Sequence, residues 1–138
     1  MIAYVDSSVI LRVVLGQSNS LAEWKQIDRG VSSTITKVEV LRTLDRLRLR
    51  TGLSDGETAR TRAVILQAID LFELVEIDAI VLDRAAQPLP TEVGTLDAIH
   101  LATALLWRER LTTELVMATH DRRLGIAAQA HGFKVVGT

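Results

Sequence analysis

Four carboxylates sit at corresponding points of the chain. Asp6 follows the apolar run Ile2 to Val5, Glu39 and Asp97 fall in the first turns of two helical segments, and Asp121 follows the apolar run Glu114 to Thr119. Taken singly, each has a structural account, because an acid at a helix start caps free N–H groups or complements the macrodipole for roughly 0.3–1 kcal/mol. Taken together they are harder to explain that way. If the strands are parallel, Asp6, Glu39 and Asp121 emerge on one edge, and a helix beginning near Asp97 can bring the fourth acid there. Four carboxylates in one cleft repel, and some must take up protons unless a cation sits among them. Oxygen ligands in a chain without cysteine favour Mg²⁺ or Mn²⁺. Such ions activate a water and stabilise the leaving oxygen of a phosphodiester, so phosphodiester cleavage is the reaction class the acids point to.

Other chemistries find less support. His100, His120 and His131 make no i, i+4 ligand pair and no cluster, and His100, on an apolar helix, reads as a core histidine with its nitrogens satisfied. The G-x-S-x-G elbow of serine hydrolases is missing, as are the P-loop and G-x-G-x-x-G phosphate signatures. Trp24 and Trp107 read as packing residues.

The elements that must position the acids follow from pattern. Thr95 to Trp107 is apolar nearly all round from Ala98 to Leu106, which marks a helix inside the fold. Thr95 is its expected N-cap, and Asp97 falls on the side of Leu101 and Ala104. Ile2 to Val5 reads as a strand turning at Asp6-Ser7-Ser8 into a helix. A second helix is expected around Leu21 to Asp28, capped by Ser18 or Ser20 and ended by Gly30. Val31 to Ile35 is the next strand, followed by Thr36-x-x-Glu39, which has the form of a capping box. The helix behind it is expected to turn Val38, Leu41, Leu44 and Leu47 inward. Ser54-Asp55-Gly56-Glu57 opens a helix through Leu71, Phe72 to Ile77 reads as a strand and Ala79 to Gln87 as a short helix stopped by Pro88 and Pro90. Glu114 to Thr119 and Phe133 to Val136 are strands flanking a helix from Arg122 to His131. Strands alternating with helices, and β-branched runs without polar alternation, predict a three-layer α/β/α fold with a central parallel sheet, in one domain spanning residues 1–138.

Net charge is −1, but its distribution is uneven. Thirteen of the sixteen basic residues are arginine, and Arg42, Arg46, Arg48, Arg50, Arg60 and Arg62 crowd one segment, while acids dominate Asp70 to Asp97. Glu39, Arg42, Arg46 and Arg50 fall within roughly 80° of one another on their helix. Arginine's planar fork pairs bidentately with phosphate, so this strip is either a solvated face or a contact for an anionic polymer. No apolar run approaches the ~20 residues of a membrane span, and Met1 leads into a strand without the basic start of a signal peptide, so a soluble cytoplasmic protein is expected.

V-D-S-S at 5–8, T-x-x-E-V-L-R-T-L at 36–44, T-L-D-A-I-H-L-A-T-A at 95–104 and A-T-H-D-R-R-L-G-I-A-A-Q-A-H-G at 118–132 resemble PIN domains, most closely the VapC-type toxins of prokaryotic toxin–antitoxin pairs. The motifs occur in family order across nearly the whole chain. The resemblance implies a Mg²⁺- or Mn²⁺-dependent endoribonuclease, with Asp6 and Asp97 the principal metal ligands and Glu39 and Asp121 completing the pocket. Ser7 and Thr119 match polar positions that support the acids or contact phosphate. A homodimer is also implied, inhibited by a small cognate antitoxin whose C-terminal segment occupies the cleft. On this reading Glu39 or Asp121 orients or deprotonates the attacking water, and Arg42, Arg46 and Arg50 contact the RNA backbone. Two alternatives fit less well. A haloacid-dehalogenase-type phosphatase wants D-x-D or D-x-T where the chain has Asp6-Ser7-Ser8, and a receiver-like signalling domain wants paired acids after the first strand.

Overall fold

The computed structural model describes all 138 residues. The chain runs β1 (Ile2–Val5), α1 (Ser7–Val14), a single 3₁₀ turn (Trp24–Gln26), β2 (Arg29–Ser33), α2 (Ile35–Thr51), α3 (Asp55–Ile69), β3 (Glu73–Val75), α4 (Ala79–Ala85), α5 (Thr95–Leu111), β4 (Val116–Ala118), α6 (Arg122–Ala130) and β5 (Lys134–Val136). The five strands form one parallel sheet in the order β3-β2-β1-β4-β5. No helix is long and apolar enough to cross a membrane.

Alternation along the buried strands sorts the core into two layers. Ala3 and Val5 of β1 and Ala118 of β4 join Val9, Ile10, Val40, Leu44, Ile65 and Ile69 of α1, α2 and α3. Tyr4, Val31 and Met117 point the other way, into Leu101, Ala104, Leu105 and Trp107 of α5 and Leu124, Ala127 and Ala128 of α6. The expected buried helix is α5, with seven consecutive buried residues from Ile99 to Leu105. α4 covers its outer side through Val81, against Ile99 and Ala102. Trp107 packs in the core and also donates its Nε1–H to Glu73 Oε1 at 2.9 Å, while Arg29 donates to Oε2. Those bonds, the Trp107 bond first, hold the Glu73 carboxyl below its ordinary range.

Several local expectations are corrected. No helix forms over Leu21 to Asp28, only the 3₁₀ turn, and neither Ser18 nor Ser20 caps it. Tertiary anchors override propensity there: Leu21 is buried, and the Met1 amino group holds both the Gln26 carbonyl and the Asp28 carboxylate while Asp28 N–H donates to the Met1 carbonyl. Gly30 ends no helix. It lies inside β2 opposite Ala3, under the Phe72 ring, where a Cβ would collide with the ring carbons.

The Thr36/Glu39 capping box does not form either. Thr36 is fully buried, its hydroxyl 2.8 Å from Ser32 Oγ, which in turn donates to the Val5 carbonyl at 2.6 Å. These bonds turn α2 so that Thr36, Val40 and Leu44 form its buried seam and Val38 stands 57% exposed, contrary to the inward face expected. A capping box does form one helix later, where Ser54 and Glu57 cap α3 reciprocally. At α5 the N-cap position is Gly94, with Thr95 already helical.

The packing of Gly30 under Phe72 gives a direct test. Gly30→Ala forces the ring aside and is expected to cost about 1–3 kcal/mol, as overpacked cores do. Phe72→Leu in the same chain should return part of it; an unchanged denaturation midpoint for Gly30→Ala would refute the packing described.

Candidate active site

β1 is the switch point of the sheet: β2 and β3 extend to one side of it, β4 and β5 to the other. In open parallel sheets ligands bind outside the carboxyl ends of the strands at such a point. Asp6 and Thr119 follow the adjacent strands β1 and β4 there.

Asp6 is 4% exposed, with both carboxylate oxygens hydrogen-bonded. Its Oδ1 caps α1, accepting from Ser8 N–H at 2.8 Å and Val9 N–H at 3.3 Å, and takes the Ser8 hydroxyl at 2.5 Å. Its Oδ2 accepts the Thr119 hydroxyl at 2.5 Å. Thr119 Oγ1 in turn receives Asp121 N–H at 2.9 Å, and Ser8 Oγ receives His120 N–H at 3.0 Å. Asp121 caps α6 as Asp6 caps α1, accepting from Arg123 and Leu124 N–H. The turn is backed from outside by Gly137, whose carbonyl accepts from His120 Nδ1 at 2.6 Å. Gly137 has φ +97°, and a Cβ there would lie 2.6 Å from the Thr119 carbonyl oxygen.

The other two acids arrive on helices. Asp97 is in the first turn of α5, half-buried, and His100 lies three residues on, along the same face. His100 is 2% exposed; its Nε2 is 2.6 Å from Glu39 Oε1 and its Nδ1 is 2.8 Å from the hydroxyl of Tyr4. Glu39, released from helix capping, therefore faces α5.

No lysine or arginine pairs with Asp6, Glu39, Asp97 or Asp121; the one basic side chain in contact with any of them is His100, hydrogen-bonded to Glu39. The Asp97 carboxyl consequently sits above its ordinary range, raised first by burial, then by Asp121, and also by Asp6 and Glu39, with His100 opposing. As the side chains stand, no three carboxylates or imidazoles converge on a point that could hold an ion. The donor set nonetheless fits one: four hard oxygen ligands with an uncompensated negative charge. The acids are gathered at one edge, but the four-carboxylate ion site expected from the sequence is not a ready-made cage.

Beside Glu39 a groove of about 390 Å³ is lined by Ser7, Ile35, Val38, Arg42, Thr43, Arg46 and Leu96. It takes in two of the three arginines; Arg50, near the end of α2, is not among its lining residues. Ser7 belongs to this groove, and the hydroxyl that supports Asp6 comes from Ser8, which sequence reasoning does not single out. Nor does it single out Tyr4, and it gives His100 a core role only. The available signals are the Asp-x-Ser spacing at a helix start and the i, i+3 spacing of Asp97 and His100 on one helical face.

This topology, with acids at the ends of β1 and β4 and at the starts of α2 and α5, is that of a PIN domain. The chain belongs to the PIN domain family, whose model matches residues 3–130. It is 36% identical over 137 residues to ribonuclease VapC46 of Mycobacterium tuberculosis, spanning 96% of this chain and 95% of that protein, and 30% identical to ribonuclease VapC35 of the same organism, spanning 96% and 94%. Among solved structures it is similar to FitAcB from Neisseria gonorrhoeae, with a TM-score of 0.71 at 20% identity, covering 97% of this chain and 96% of that one. A toxin-antitoxin complex from Klebsiella pneumoniae gives a TM-score of 0.69 at 19% identity, covering 97% and 95%.

A stability measurement tests the electrostatics. A carboxyl whose folded pKa is raised stabilises the fold below its unfolded value and loses that contribution as pH rises through the raised one. Asp97→Asn is therefore expected to melt a few degrees higher than wild type in EDTA near neutrality, with the gap narrowing toward pH ~4. A variant less stable than wild type at neutral pH would contradict the uncompensated charge.

Proposed function

We propose that the protein is a divalent-metal-dependent endoribonuclease, the toxin of a type II toxin–antitoxin pair. The carrying observation is the set of four carboxylates at the sheet's switch point with no lysine or arginine to balance them. The names of the curated relatives support the same reading. Asp6 and Asp97 would hold Mg²⁺ or Mn²⁺, with Glu39 and Asp121 completing the pocket. When bound, such an ion lowers the pKa of a water and neutralises charge on a phosphodiester. Ser8 and Thr119 fix the Asp6 rotamer from both sides, so the ligand is preorganised. Glu39 has Oε1 occupied by His100 and no partner on Oε2, and Asp121 accepts both N–H bonds on Oδ1, so each keeps one oxygen to orient a water and accept its proton. Arg42 and Arg46 would line the approach of the RNA backbone, although Arg42 also pairs with Asp45 at 3.0 Å.

The partners follow from the same reading: a small cognate antitoxin closing the acidic cleft and a second copy of the chain forming a homodimer. The toxin–antitoxin assemblies among the solved structures of this fold favour the former. The phosphatase alternative lacks its second acid. Ser8 stands where it would be, with its hydroxyl committed to Asp6.

Two experiments test the proposal. Purified protein incubated with a structured-RNA pool should give discrete products with Mg²⁺ and none with EDTA. Asp97→Asn should lose at least about 10²-fold in rate, beyond what removing an outer partner of a ligand commonly costs. Full metal-dependent cutting by that variant would sink the assignment, and turnover of small phosphoesters alone would favour the phosphatase. Separately, Arg42→Glu with Arg46→Glu should weaken RNA binding and reduce the slope of log K against log salt by about 0.7 for each single-strand phosphate that is no longer neutralised. An unchanged slope would make α2's arginines a solvated face.

A further inference from the structure

We propose that Tyr4 and His100 are positioning residues for Glu39: the Tyr4 hydroxyl satisfies the second ring nitrogen of His100 and anchors the ring, and His100 fixes which oxygen of Glu39 is left for the site. The inference rests on the reading of Glu39 as part of the acidic pocket, but it concerns this chain's own hydrogen bonds.

Three elements meet in the relay. Tyr4 is on the central strand, 0% exposed, with its ring packed edge-on to His100 at 5.9 Å between centroids and 71° between planes. His100 is on the buried helix and Glu39 in the second turn of α2. An ionised carboxylate 2.6 Å from an imidazole nitrogen needs a proton between them, so Nε2–H donates to Glu39 Oε1. In a neutral imidazole the other nitrogen is then a bare acceptor, and the Tyr4 hydroxyl, 2.8 Å away, supplies the donor. A phenol carries its proton at neutral pH and can donate it. Both ring nitrogens are satisfied, and the order of donation runs one way, from Tyr4 to His100 to Glu39.

The geometry has a consequence for the site. A glutamate on the early turns of a helix has free χ angles and, in this sequence, an available alternative as a capping-box partner. Buried Thr36 removes that alternative, and His100 supplies a replacement that aims the carboxylate at α5. Outer partners of this kind, which orient a ligand and set its basicity, commonly contribute roughly 10–100-fold to metal affinity.

The test combines histidine nitrogen NMR on the metal-free protein with a double-mutant cycle. In wild type the His100 proton should reside on Nε2, with Nδ1 unprotonated; Tyr4→Phe should shift the Nδ1 resonance, which has lost its donor, while the proton stays on Nε2, and Glu39→Gln should remove the strongly hydrogen-bonded Nε2–H signal. For Mn²⁺ binding followed by calorimetry, Tyr4→Phe should weaken affinity by about tenfold in the native background. In the Glu39→Gln background it should have less than about a twofold effect. A proton on Nδ1 in wild type, or equal losses in both backgrounds, overturns the relay, the second result meaning that Tyr4 acts through general packing. Failure of the nuclease reading is separable: absence of metal-dependent RNA cutting rejects that activity, while the tautomer measurements still decide the relay.

Discussion

The carboxylate of Asp6 is the joint on which the functional edge depends. Four donors reach it, from Ser8 N–H, Ser8 Oγ, Val9 N–H and Thr119 Oγ1, and they come from two different strand–helix turns. A buried carboxylate survives at 4% exposure only when hydrogen-bond donors replace the water it has lost. Here the donors are the groups that must be fixed for Asp121 to sit beside it. Ser8 and Thr119 each act twice, donating to Asp6 and accepting a backbone N–H from the β4–α6 turn, at His120 and Asp121. Removal of Asp6 would therefore loosen the turn that carries the neighbouring acid as well as delete a carboxylate.

Fixing the acids in this way brings like charges together, and the fold offsets only part of the repulsion. Asp6 and Asp121 cap α1 and α6, and Asp97 sits in the first turn of α5, so each carboxylate lies at the positive end of a helix. That arrangement explains how the acids can share an edge without arginine partners. It does not neutralise Asp97, whose carboxyl is still held above its ordinary range by burial and by the others. The residual strain is electrostatic and local, which is the condition under which a bound cation gains affinity from the fold.

The strands, the buried helix and the parallel three-layer arrangement were legible because they rest on long apolar patterns. β1 and α5 carry them with almost no interruption, and three of the acids could be placed on one edge from strand direction, the fourth from the start of the buried helix. What the sequence hid were polar contacts between distant segments. Thr36-x-x-Glu39 satisfies the local rule for a capping box, and nothing local says that Ser32 and His100 will take those side chains instead. Leu21 to Asp28 has adequate helix propensity, but the amino terminus and the start of β2 claim its backbone. Whether the acidic oxygens converge was likewise beyond reach, because convergence of side-chain oxygens depends on rotamers that spacing does not specify.

His100 shows why a structural and a functional account of one residue need not compete. It satisfies every test of a core histidine: buried on the apolar helix, packed on an aromatic ring, with both nitrogens bonded. Yet one of those bonds ends on an acid of the site, and that acid has a free oxygen only because the other is held. In a small domain the interior is one or two side chains away from any cleft, so a buried polar group that is fully satisfied can transmit orientation from the core to the edge. Tyr4 extends the same logic to the central strand. The rigidity that the sheet needs for packing becomes, through two hydrogen bonds, the rigidity that holds Glu39 against α5.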